Sequence, residues 1–416
     1  MGPSTTTTAS TPTGAAPGPE VAAAGPMPEL VPPDQWADPH PHYHRLRSEN
    51  PVWSIPEWDE VVCTRWADCE RVLRDSTFSS DPDRRRIEVP VLSFGEMERP
   101  RTLLLMDPPD HTRLRKLVSK AFTPRTVERL RPHVAELAHA MLDTADPAGF
   151  ELIDTIGFPL PVTVICELLG IPAEDRHLFG PWSADASRMI DGEIDDATMQ
   201  RGLMAFMQII NYLNGIFEER RANPRDDLLS ALLAAEEEGE KLNEEELRTT
   251  VVLLFIAGHE TTTNLIGNGT VALLRNRDQW DRLVADPSLA PSAVEELLRY
   301  DGPVHLTART ATVPSVVGGV EVEPGQGVVT LLAAANRDPE RFPDPDRLDI
   351  SRSDNQHLTF SHGIHYCLGA ALARVEGQEV FKAITQRFPT LELVEEPVHR
   401  DHFILRGYQA VQVAAP

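Results

Sequence analysis

Apolar residues recur at three- and four-residue spacing along most of the chain, which is the pattern of amphipathic helices. The pattern predicts helices at 111–121, 134–141, 152–169, 203–217 and 247–274. Asn243 precedes the last and longest of them as a candidate N-cap, and Glu244 to Glu246 place negative charge in its first turn, where the helix dipole favours it. The apolar run 251–256 predicts that this helix is buried on nearly every face.

Short stretches rich in Val, Trp and Gly predict small sheets between the helices. One such stretch lies between Trp53 and Val62 and is broken by Pro56. Two more lie at 308–322 and 328–332, and the Pro- and Asp-rich run 338–346 predicts an irregular loop. The predicted fold class is therefore mainly α with small β-sheets.

The first 30 residues differ in composition from the rest of the chain. They are rich in Ala, Pro, Gly and Thr, and they lack the basic segment followed by an apolar run that marks a signal peptide. Such a stretch buries too little apolar surface to offset the entropy cost of ordering. The sequence predicts a disordered tail at 1–30, a single catalytic domain at 31–416 and no membrane anchor.

Charge and cysteine content exclude several classes of protein. The formal net charge of −25 repels phosphate backbones, so no nucleic acid partner is expected. The four cysteines, Cys63, Cys69, Cys166 and Cys367, include no C-x-x-C pair, which argues against a disulfide framework and against a multi-cysteine zinc site. A reducing, cytoplasmic environment is predicted.

The most informative stretch surrounds the last cysteine. It reads Phe360-Ser-His-Gly363-Ile-His365-Tyr-Cys367-Leu-Gly369, with a helical pattern after it. A thiolate ligand needs its charge stabilised, and a cysteine just before a helix N-terminus receives backbone N–H groups and the helix dipole. Gly363 and Gly369 are predicted to let a large flat ligand approach the backbone. The alternatives are an inert buried cysteine and a zinc site built from His362, His365 and Cys367.

This pattern of Phe, Gly, a basic residue, Cys and Gly at fixed offsets resembles the haem-binding loop of the cytochrome P450 family. The resemblance covers the chain from about Trp36 to its end. It implies that Cys367 is the axial ligand of haem b (iron protoporphyrin IX) and that O2 is the co-substrate. It also implies the P450 fold, in which the haem lies between a long central distal helix and the proximal helix that follows the cysteine loop.

A polar segment, Ala257 to Asn264, interrupts the apolar run of the long helix. Glu260 and Thr261, preceded by Ala257 and Gly258, resemble the oxygen-activation segment of the family, in which the helix is locally widened. There the acid and the alcohol form a proton path. The alternative is that the threonines hydrogen-bond to carbonyl groups and that Glu260 is a paired core acid.

Several charged residues occur in the order that the family has. Glu296 and Arg299 lie three residues apart on one helix face, and with Arg352 they resemble a buried structural trio. The residues that resemble ligands of the haem propionates are His111, Arg115, Arg309 and His365. Each of these could instead be an ordinary surface charge.

The basic stretch 111–131 contains seven Lys or Arg residues and one acid, Glu128. With the family resemblance, it predicts the docking site of a ferredoxin, which receives electrons from NAD(P)H through a separate ferredoxin reductase. The alternative is a solvated helix face. The resemblance further implies a small lipophilic substrate, such as a polyketide, terpenoid or steroid-like molecule. The predicted pocket residues are Phe94, Met97, Leu253, Ile256, His259, Val304, His305 and Phe403.

The resemblance implies a monomeric haem-thiolate monooxygenase of secondary metabolism that hydroxylates or epoxidises its substrate. Two alternatives stay open from the sequence. One is P450-type oxidative coupling or dehydrogenation in a biosynthetic pathway, and the other is a haem-based sensor or binding protein. The pair Glu260 and Thr261 argues against an isomerising branch, which needs no proton delivery to dioxygen.

Overall fold

The computed structural model describes residues 30–32, 35–87, 101–121, 123–190, 195–237, 240–400, 402 and 404–416. Helices make up most of these residues. The α-helices are α1 (His40–Glu49), α2 (Trp66–Arg74), α3 (Asp110–Ala121), α4 (Pro124–Glu128), α5 (Arg131–Leu142), α6 (Pro159–Leu168), α7 (Arg176–Ser187), α8 (Asp196–Ala222), α9 (Leu228–Ala234), α10 (Glu244–Arg275), α11 (Arg277–Ala285), α12 (Ala290–Asp301), α13 (Leu332–Ala335) and α14 (Ala370–Arg387).

Four of the five predicted helices are confirmed with longer bounds, as α3, α5, α8 and α10. The fifth, at 152–169, is divided into a π-helical turn, Ile153–Gly157, and helix α6. Pro159 and Pro161 stand in the first turn of α6. Because proline has no N–H to donate to the preceding turn, the chain starts a new helix there instead of continuing the old one.

The strands are short and occupy the stretches that the sequence pattern indicates, together with others between these stretches and near the C-terminus. They are β1 (Val52–Ile55), β2 (Glu60–Cys63), β3 (Phe78–Ser79), β4 (Phe150–Glu151), β5 (Glu236–Glu237), β6 (Glu240–Lys241), β7 (Leu306–Ala311), β8 (Ser315–Val317), β9 (Val320–Val322), β10 (Gly327–Leu331), β11 (Glu392–Leu393), β12 (Val398–His399), β13 (Tyr408–Ala410) and β14 (Gln412–Ala414).

The largest sheet has five strands in the order β1-β2-β10-β7-β3. Strand β10 is parallel to β2 and antiparallel to β7, and Val328 stands opposite Arg309 in that second pairing. The smaller sheets are β11-β14-β4 and the pairs β12-β13, β5-β6 and β8-β9. The prediction of a mainly α fold with small sheets is therefore confirmed.

Helix α10 begins with the predicted cap. The Asn243 side chain accepts a hydrogen bond from the Glu246 amide at 2.9 Å, and the Glu246 carboxylate accepts one from the Asn243 amide at 2.9 Å. The helix then continues as regular α-helix to Arg275, so its polar segment neither breaks nor widens it. The hydroxyls of Thr261 and Thr262 donate to carbonyls one turn back, at 2.8 and 3.1 Å, and so are satisfied without a break.

The predicted tail mostly lies outside the described residues. Leu30, its last residue, is buried, and its carbonyl accepts a hydrogen bond from His42 at 3.0 Å. The folded part thus includes Leu30. Among the helices of the described ranges, none is both long enough and apolar enough to cross a membrane.

Candidate active site

Helix α10 and helix α14, which follows the cysteine loop, pack against each other in parallel. Three successive pairs of residues contact each other: Thr262 with Glu376, Leu265 with Gly377, and Gly269 with Phe381. From one pair to the next the residue number rises on both helices, so the two helices run in the same direction. The residues before Thr262 and those before Glu376 therefore lie on the same side of this contact. The structure therefore brings 257–261 and the cysteine loop to the same end.

Side chains at this end are accessible, although most of α10 is buried. Ala257 is exposed in the middle of the helix, and Leu253 and Thr261, one turn away on either side, are half-buried. These three positions form an accessible stripe on one helix face. Cys367 is exposed at the same end. This is the arrangement that a large ligand between the helix and the sulfur requires.

Backbone groups hold the sulfur of Cys367. The Cys367 amide donates to the carbonyl of Phe360 at 2.9 Å, and the amides of Gly369 and Ala370 donate to the sulfur. Although Cys367 is exposed, desolvation by the protein atoms around its sulfur raises the pKa of the thiol, and these two amides and the nearby Arg115 only reduce that rise. The helix N-terminus thus stabilises the thiolate in part, and a bound metal ion would supply the rest of the stabilisation.

Gly363 is required by the packing of the protein itself. Its φ of +69° lies in the left-handed region, and a Cβ there would stand 2.6 Å from the carbonyl oxygen of Leu73 in α2. Gly369 has a φ of −80°, and a Cβ on it would approach the sulfur of Cys367 at 3.9 Å. The sequence predicts that both glycines make room for a flat ligand, whereas the contacts of Gly363 show that the packing of the loop on α2 requires it.

Arg374 and Glu295 form an ion pair beside the cysteine that the sequence patterns do not reveal. Arg374 donates to the two carboxylate oxygens of Glu295 at 2.6 and 2.9 Å, and to the hydroxyl of Tyr366 at 3.0 Å. Its guanidinium lies 4.6 Å from the ring centroid of Phe360. The sequence offers Arg374 only as part of a helical pattern, because its partner is 79 residues away.

Four basic side chains, His111, Arg115, Arg309 and His365, gather next to the cysteine loop. The rings of His111 and His365 have centroids 4.3 Å apart, and Arg115 donates to the carbonyl of Tyr366 at 2.6 Å. Burial and the charge of Arg309 lower the pKa of His365 to about 3, with smaller effects from His111 and Arg115. Burial lowers the pKa of Arg309 to about 10. The charges of Arg115 and Arg309 thus disfavour a proton on His365, and a bound anion would relieve this repulsion.

Two nitrogens of the cluster point to the same conclusion. The buried Nε2 atoms of His111 and His365 have no hydrogen-bond partner among the described residues. A buried polar atom without a partner costs about 1–3 kcal/mol, which a ligand with anionic oxygens would offset. Haem b carries two propionates, and its iron takes a cysteine thiolate in P450 proteins. The sulfur and the basic cluster therefore fit haem b.

The zinc alternative finds no support in the geometry. Within the described ranges, no group of three or more His, Cys, Asp and Glu side chains is placed to hold a metal ion. His365 stacks obliquely on His111 instead of joining His362 and Cys367 around one point.

The acid and the alcohol on α10 both have partners. The Thr261 hydroxyl donates to the carbonyl of Ala257 at 2.8 Å, and the buried Glu260 is ion-paired with Arg400. Arg400 is a functional candidate that the sequence does not reveal, because 140 residues separate the partners. These contacts agree both with a proton path and with the alternative in which Thr261 and Glu260 only stabilise the fold. The accessible face formed by Ala257 and Thr261 favours the proton path, because a threonine that only stabilises the fold does not need to be accessible.

Glu296, Arg299 and Arg352 lie together in the core. Arg299 donates to both carboxylate oxygens of Glu296 at 2.8 Å, and Arg352 donates to one of them at 3.1 Å. Arg299 also donates to the carbonyls of Asn336 and Pro345 at 2.9 and 2.8 Å. Each charge of the trio is thus paired, as a buried group of charges requires, and the trio joins α12 to the loop before Cys367.

The proposed pocket residues do not all lie at the accessible end of α10. Leu253 shares the face of Ala257, Ile256 is buried, and the half-buried Val304 forms a β-bridge with Leu405. Phe94, Met97 and Phe403 lie outside the described residues.

Two histidines proposed as polar substrate contacts are buried away from that face. His259 is fully buried, and its Nδ1 donates to the carbonyl of Phe255 at 2.8 Å. His305 is also buried, with its Nδ1 hydrogen-bonded to the hydroxyl of Tyr43 at 3.1 Å. The structure therefore places neither histidine on the accessible stripe.

A second buried carboxyl, Glu376, faces α10 from α14. It is 1% exposed, the Thr262 hydroxyl is hydrogen-bonded to it, and its Oε2 has no partner within the described protein. Burial raises the pKa of Glu376 to about 8. The carboxyl is therefore protonated at neutral pH, which no sequence pattern indicates.

This shift predicts a pH-dependent difference between the wild type and Glu376→Gln. Between pH 4.5 and about 8, the folded protein keeps a proton on Glu376 that the unfolded chain has lost, so its stability falls as pH rises. The slope from this one group is about −1.4 kcal/mol per pH unit. Glutamine does not titrate, so the free energy of unfolding of the variant minus that of the wild type should increase from pH 5 to pH 8. Urea unfolding of both haem-loaded proteins measures this difference, and parallel pH curves would contradict it.

Comparisons with known proteins agree on one family. The sequence profile "Cytochrome P450" matches residues 193–407. Vitamin D(3) 25-hydroxylase of Pseudonocardia autotrophica is 42% identical over 91% of this chain and 94% of its own length. Cytochrome P450 monooxygenase PikC of Streptomyces venezuelae is 42% identical over 91% of both chains.

The fold is shared with solved structures as well. The ligand-free crystal structure of Mycobacterium smegmatis CYP164A2 superposes with a TM-score of 0.85 and 42% sequence identity. The superposition covers 93% of this chain and 98% of that one. The residues that the sequence profile matches, 193–407, include both α10 and the cysteine loop.

Proposed function

Because the chain belongs to the cytochrome P450 family of monooxygenases, we propose that it hydroxylates or epoxidises a lipophilic organic molecule with electrons from a ferredoxin. Bound haem b supplies the activation of dioxygen and the insertion of one oxygen atom into the substrate. In this proposal Cys367 ligates the iron, and His111, Arg115, Arg309 and His365 bind the propionates.

One observation carries the proposal. The parallel contact of α10 with α14 brings an accessible stripe, Leu253, Ala257 and Thr261, to the same end as the exposed Cys367. A haem-based sensor or binding protein would need the sulfur of Cys367 as an iron ligand but no residues that deliver protons. A monooxygenase also needs an alcohol and an acid close to the reacting oxygen, and Thr261 and Glu260 are adjacent on this part of α10.

The proposed roles of Glu260 and Thr261 follow from their positions. Thr261 Oγ lies on the accessible face and can pass a proton to the reacting oxygen. Glu260 lies beside it on the buried side, held by Arg400, and can supply Thr261 with protons. Arg400 keeps the carboxylate in place, so it is a positioning residue in this scheme.

We further propose that the ferredoxin docks beside the cysteine loop, on the exposed basic residues of α3 and α4. Arg113 and Arg131 are less suited to this role, because they are ion-paired with Glu246 and Glu379. Lys116 of α3, Arg125 of α4 and Arg129 directly after α4 are exposed. Arg115 of α3 donates to the Tyr366 carbonyl, so α3 lies close to the cysteine, and α4 contacts α14, the helix that follows the cysteine loop.

Charge reversal tests this docking surface. The double variant Lys116→Glu, Arg125→Glu should lower the rate of reduction by an acidic ferredoxin about tenfold at low ionic strength, because steering acts on association. The difference should shrink as salt is added. Stopped-flow reduction measures it, with Arg84→Glu, an exposed position beyond β3, as the matched control. If the reduction rate depends neither on salt nor on the two substitutions, the ferredoxin docks on another surface.

The substrate class rests on the accessible apolar positions of α10 and on the relatives. The Pseudonocardia autotrophica relative is named for hydroxylating vitamin D(3), and we propose a substrate of comparable lipophilicity. Lipophilic compounds should be screened for a shift of the haem absorption band. The best ligand should then be turned over under ¹⁸O₂ with ferredoxin, reductase and NADPH. The proposal predicts one ¹⁸O atom in the product, and label arriving from water instead would contradict it.

A further inference from the structure

A stripe of polar side chains follows the buried side of α10. Glu260, Asn264 and Asn268 are spaced by four residues, so they project from one helix face, and together they span about 12 Å along the axis. They are 3%, 2% and 0% exposed. Apolar residues such as Leu265 and Ile266 fill the positions between them. Burying an amide side chain without hydrogen-bond partners costs free energy, so apolar packing alone does not explain Asn264 and Asn268 at these positions.

Each of the three side chains of the stripe meets a residue near the C-terminus, namely Arg400, Gly407 or Arg406. Glu260 is ion-paired with Arg400, and a Cβ on Gly407 would stand 2.0 Å from Asn264 Oδ1, so Asn264 lies against the backbone there. Asn268 Nδ2 donates to the carbonyl of Arg406 at 3.2 Å. The stripe therefore has a continuous partner along its length.

The stripe ends at a group of charged and imidazole side chains, of which His40, His305 and Arg406 are buried and Asp301 is half-buried. Asn268 Nδ2 also donates to the carbonyl of Asp301 at 3.2 Å. The Asp301 carboxylate lies 3.4 Å from Arg406 Nε and 4.0 Å from His40 Nε2. Arg406 Nη2 is hydrogen-bonded to His399 Nε2 at 3.0 Å. The ring centroid of His305 lies 6.3 Å from that of His40. We call these five residues the histidine cluster: His40, Asp301, His305, His399 and Arg406.

Four polar atoms of the stripe and the cluster have no hydrogen-bond partner within the described protein. These atoms are Asn264 Nδ2, Asn268 Oδ1, His305 Nε2 and His40 Nδ1. Each such atom costs about 1–3 kcal/mol if nothing binds it. Their occurrence along one path indicates bound molecules that serve donors and acceptors alike.

Water is the ligand that can satisfy both the hydrogen-bond donors and the acceptors among these atoms. The guanidinium of Arg406 disfavours a cation, and the carboxylate of Asp301 disfavours an anion. No metal-binding group of His, Cys, Asp and Glu side chains is present among the described residues. A water molecule both donates and accepts, and buried water typically makes about three hydrogen bonds to such orphaned groups.

We propose that the polar stripe and the histidine cluster hold a chain of ordered water molecules that conducts protons from the surface at Asp301 to Glu260. The side chains of Asp301 and His40 are 15% and 11% exposed, so the outer end of the path reaches solvent. The inference rests on the proposed function, in which Glu260 supplies Thr261. Insertion of one oxygen atom consumes two protons and two electrons and forms one water molecule, so a buried acid must be recharged in every cycle.

Arg400, whose side chain is 21% exposed, lies closer to solvent than Asp301 does along the path, but a guanidinium keeps its protons in proteins and therefore does not relay them. Asn268 contacts Asp301 and Arg406 but not the Glu260–Arg400 pair. A change at Asn268 therefore interrupts the path and leaves that pair in place.

The first test needs no turnover. A high-resolution crystal structure of the full, haem-loaded chain should show water within hydrogen-bond distance of Asn264 Nδ2, Asn268 Oδ1 and His305 Nε2. If side-chain groups pair these atoms directly, the proposal is overturned, whatever reaction the enzyme catalyses.

The second test compares Asn268→Leu with Asn268→Ser. The leucine should lower product per NADPH by about tenfold and raise the solvent deuterium isotope effect on product formation. The serine hydroxyl can both donate to a carbonyl and bind water, so this variant should stay close to the wild type. Haem content and unfolding midpoint check that both variants fold, and Asn264→Leu replaces the first variant if it does not. Unchanged coupling in the leucine variant would overturn the path, whereas failure of the proposed function itself would show as a wild type that makes no oxygenated product.

Discussion

Cys367→Ser is expected to lose the red-shifted absorption band of the reduced carbonyl complex and to lower product formation to background. A thiolate donates more electron density to haem iron than a serine hydroxyl does, and that donation produces the band. The serine keeps the shape of the loop, so the basic cluster of His111, Arg115, Arg309 and His365 still holds haem. The measurement is the carbonyl difference spectrum of both proteins, purified in parallel and matched for haem.

Cys166→Ser provides the matched control. Cys166 is fully buried in α6, and burial raises the pKa of its thiol to about 12, so it is an inert core cysteine. The control protein should keep both the band and the turnover. A Cys367→Ser protein that retains the band would show that the sulfur ligand is another residue.

Glu260→Gln is expected to lower the rate of product formation by about 10²-fold while leaving haem binding intact. The amide keeps the size of the side chain but cannot take up and release protons. Thr261→Ala should lower product per reducing equivalent by about tenfold and raise hydrogen peroxide to match, because the accessible hydroxyl no longer passes protons on.

Thr263→Ala serves as the control for both variants. Thr263 is buried on the same helix, and its hydroxyl has no partner in the described protein. Its removal should leave the balance of product and peroxide unchanged. If Thr261→Ala couples electrons to product as well as this control does, Thr261 has no part in the proton path.

The features that the sequence predicted well depend on neighbours in the chain. The cap of α10 needs only Asn243 and Glu246, three residues apart, and the cysteine loop places its own donors on Cys367 within three residues. Periodicity located α3, α5, α8 and α10 for the same reason, because a helix is built from contacts three and four residues apart.

The features that the sequence missed depend on distant contacts. Arg400 approaches Glu260 only because the C-terminal segment lies along α10, and Glu376 is buried only because α14 packs on the same helix. Neither residue stands out in the sequence, where each is one charge among many. The pKa of Glu376 follows from burial, which no local pattern specifies.

His259 shows how helix geometry corrects a sequence interpretation. It stands two residues after Ala257, and two residues turn an α-helix by about 200°. If Ala257 is accessible, His259 must point to the opposite side, where it packs against Phe158 and Phe255. The helical phase therefore excludes it from the accessible stripe that Leu253 and Thr261 share.

X-ray absorption at the iron edge of the purified wild-type protein tests the central claim most directly, because it reports which atoms ligate the metal. With a haem-thiolate site at Cys367, the spectrum requires one sulfur scatterer in the first shell in addition to the four porphyrin nitrogens. A first shell of nitrogen and oxygen alone would contradict the account.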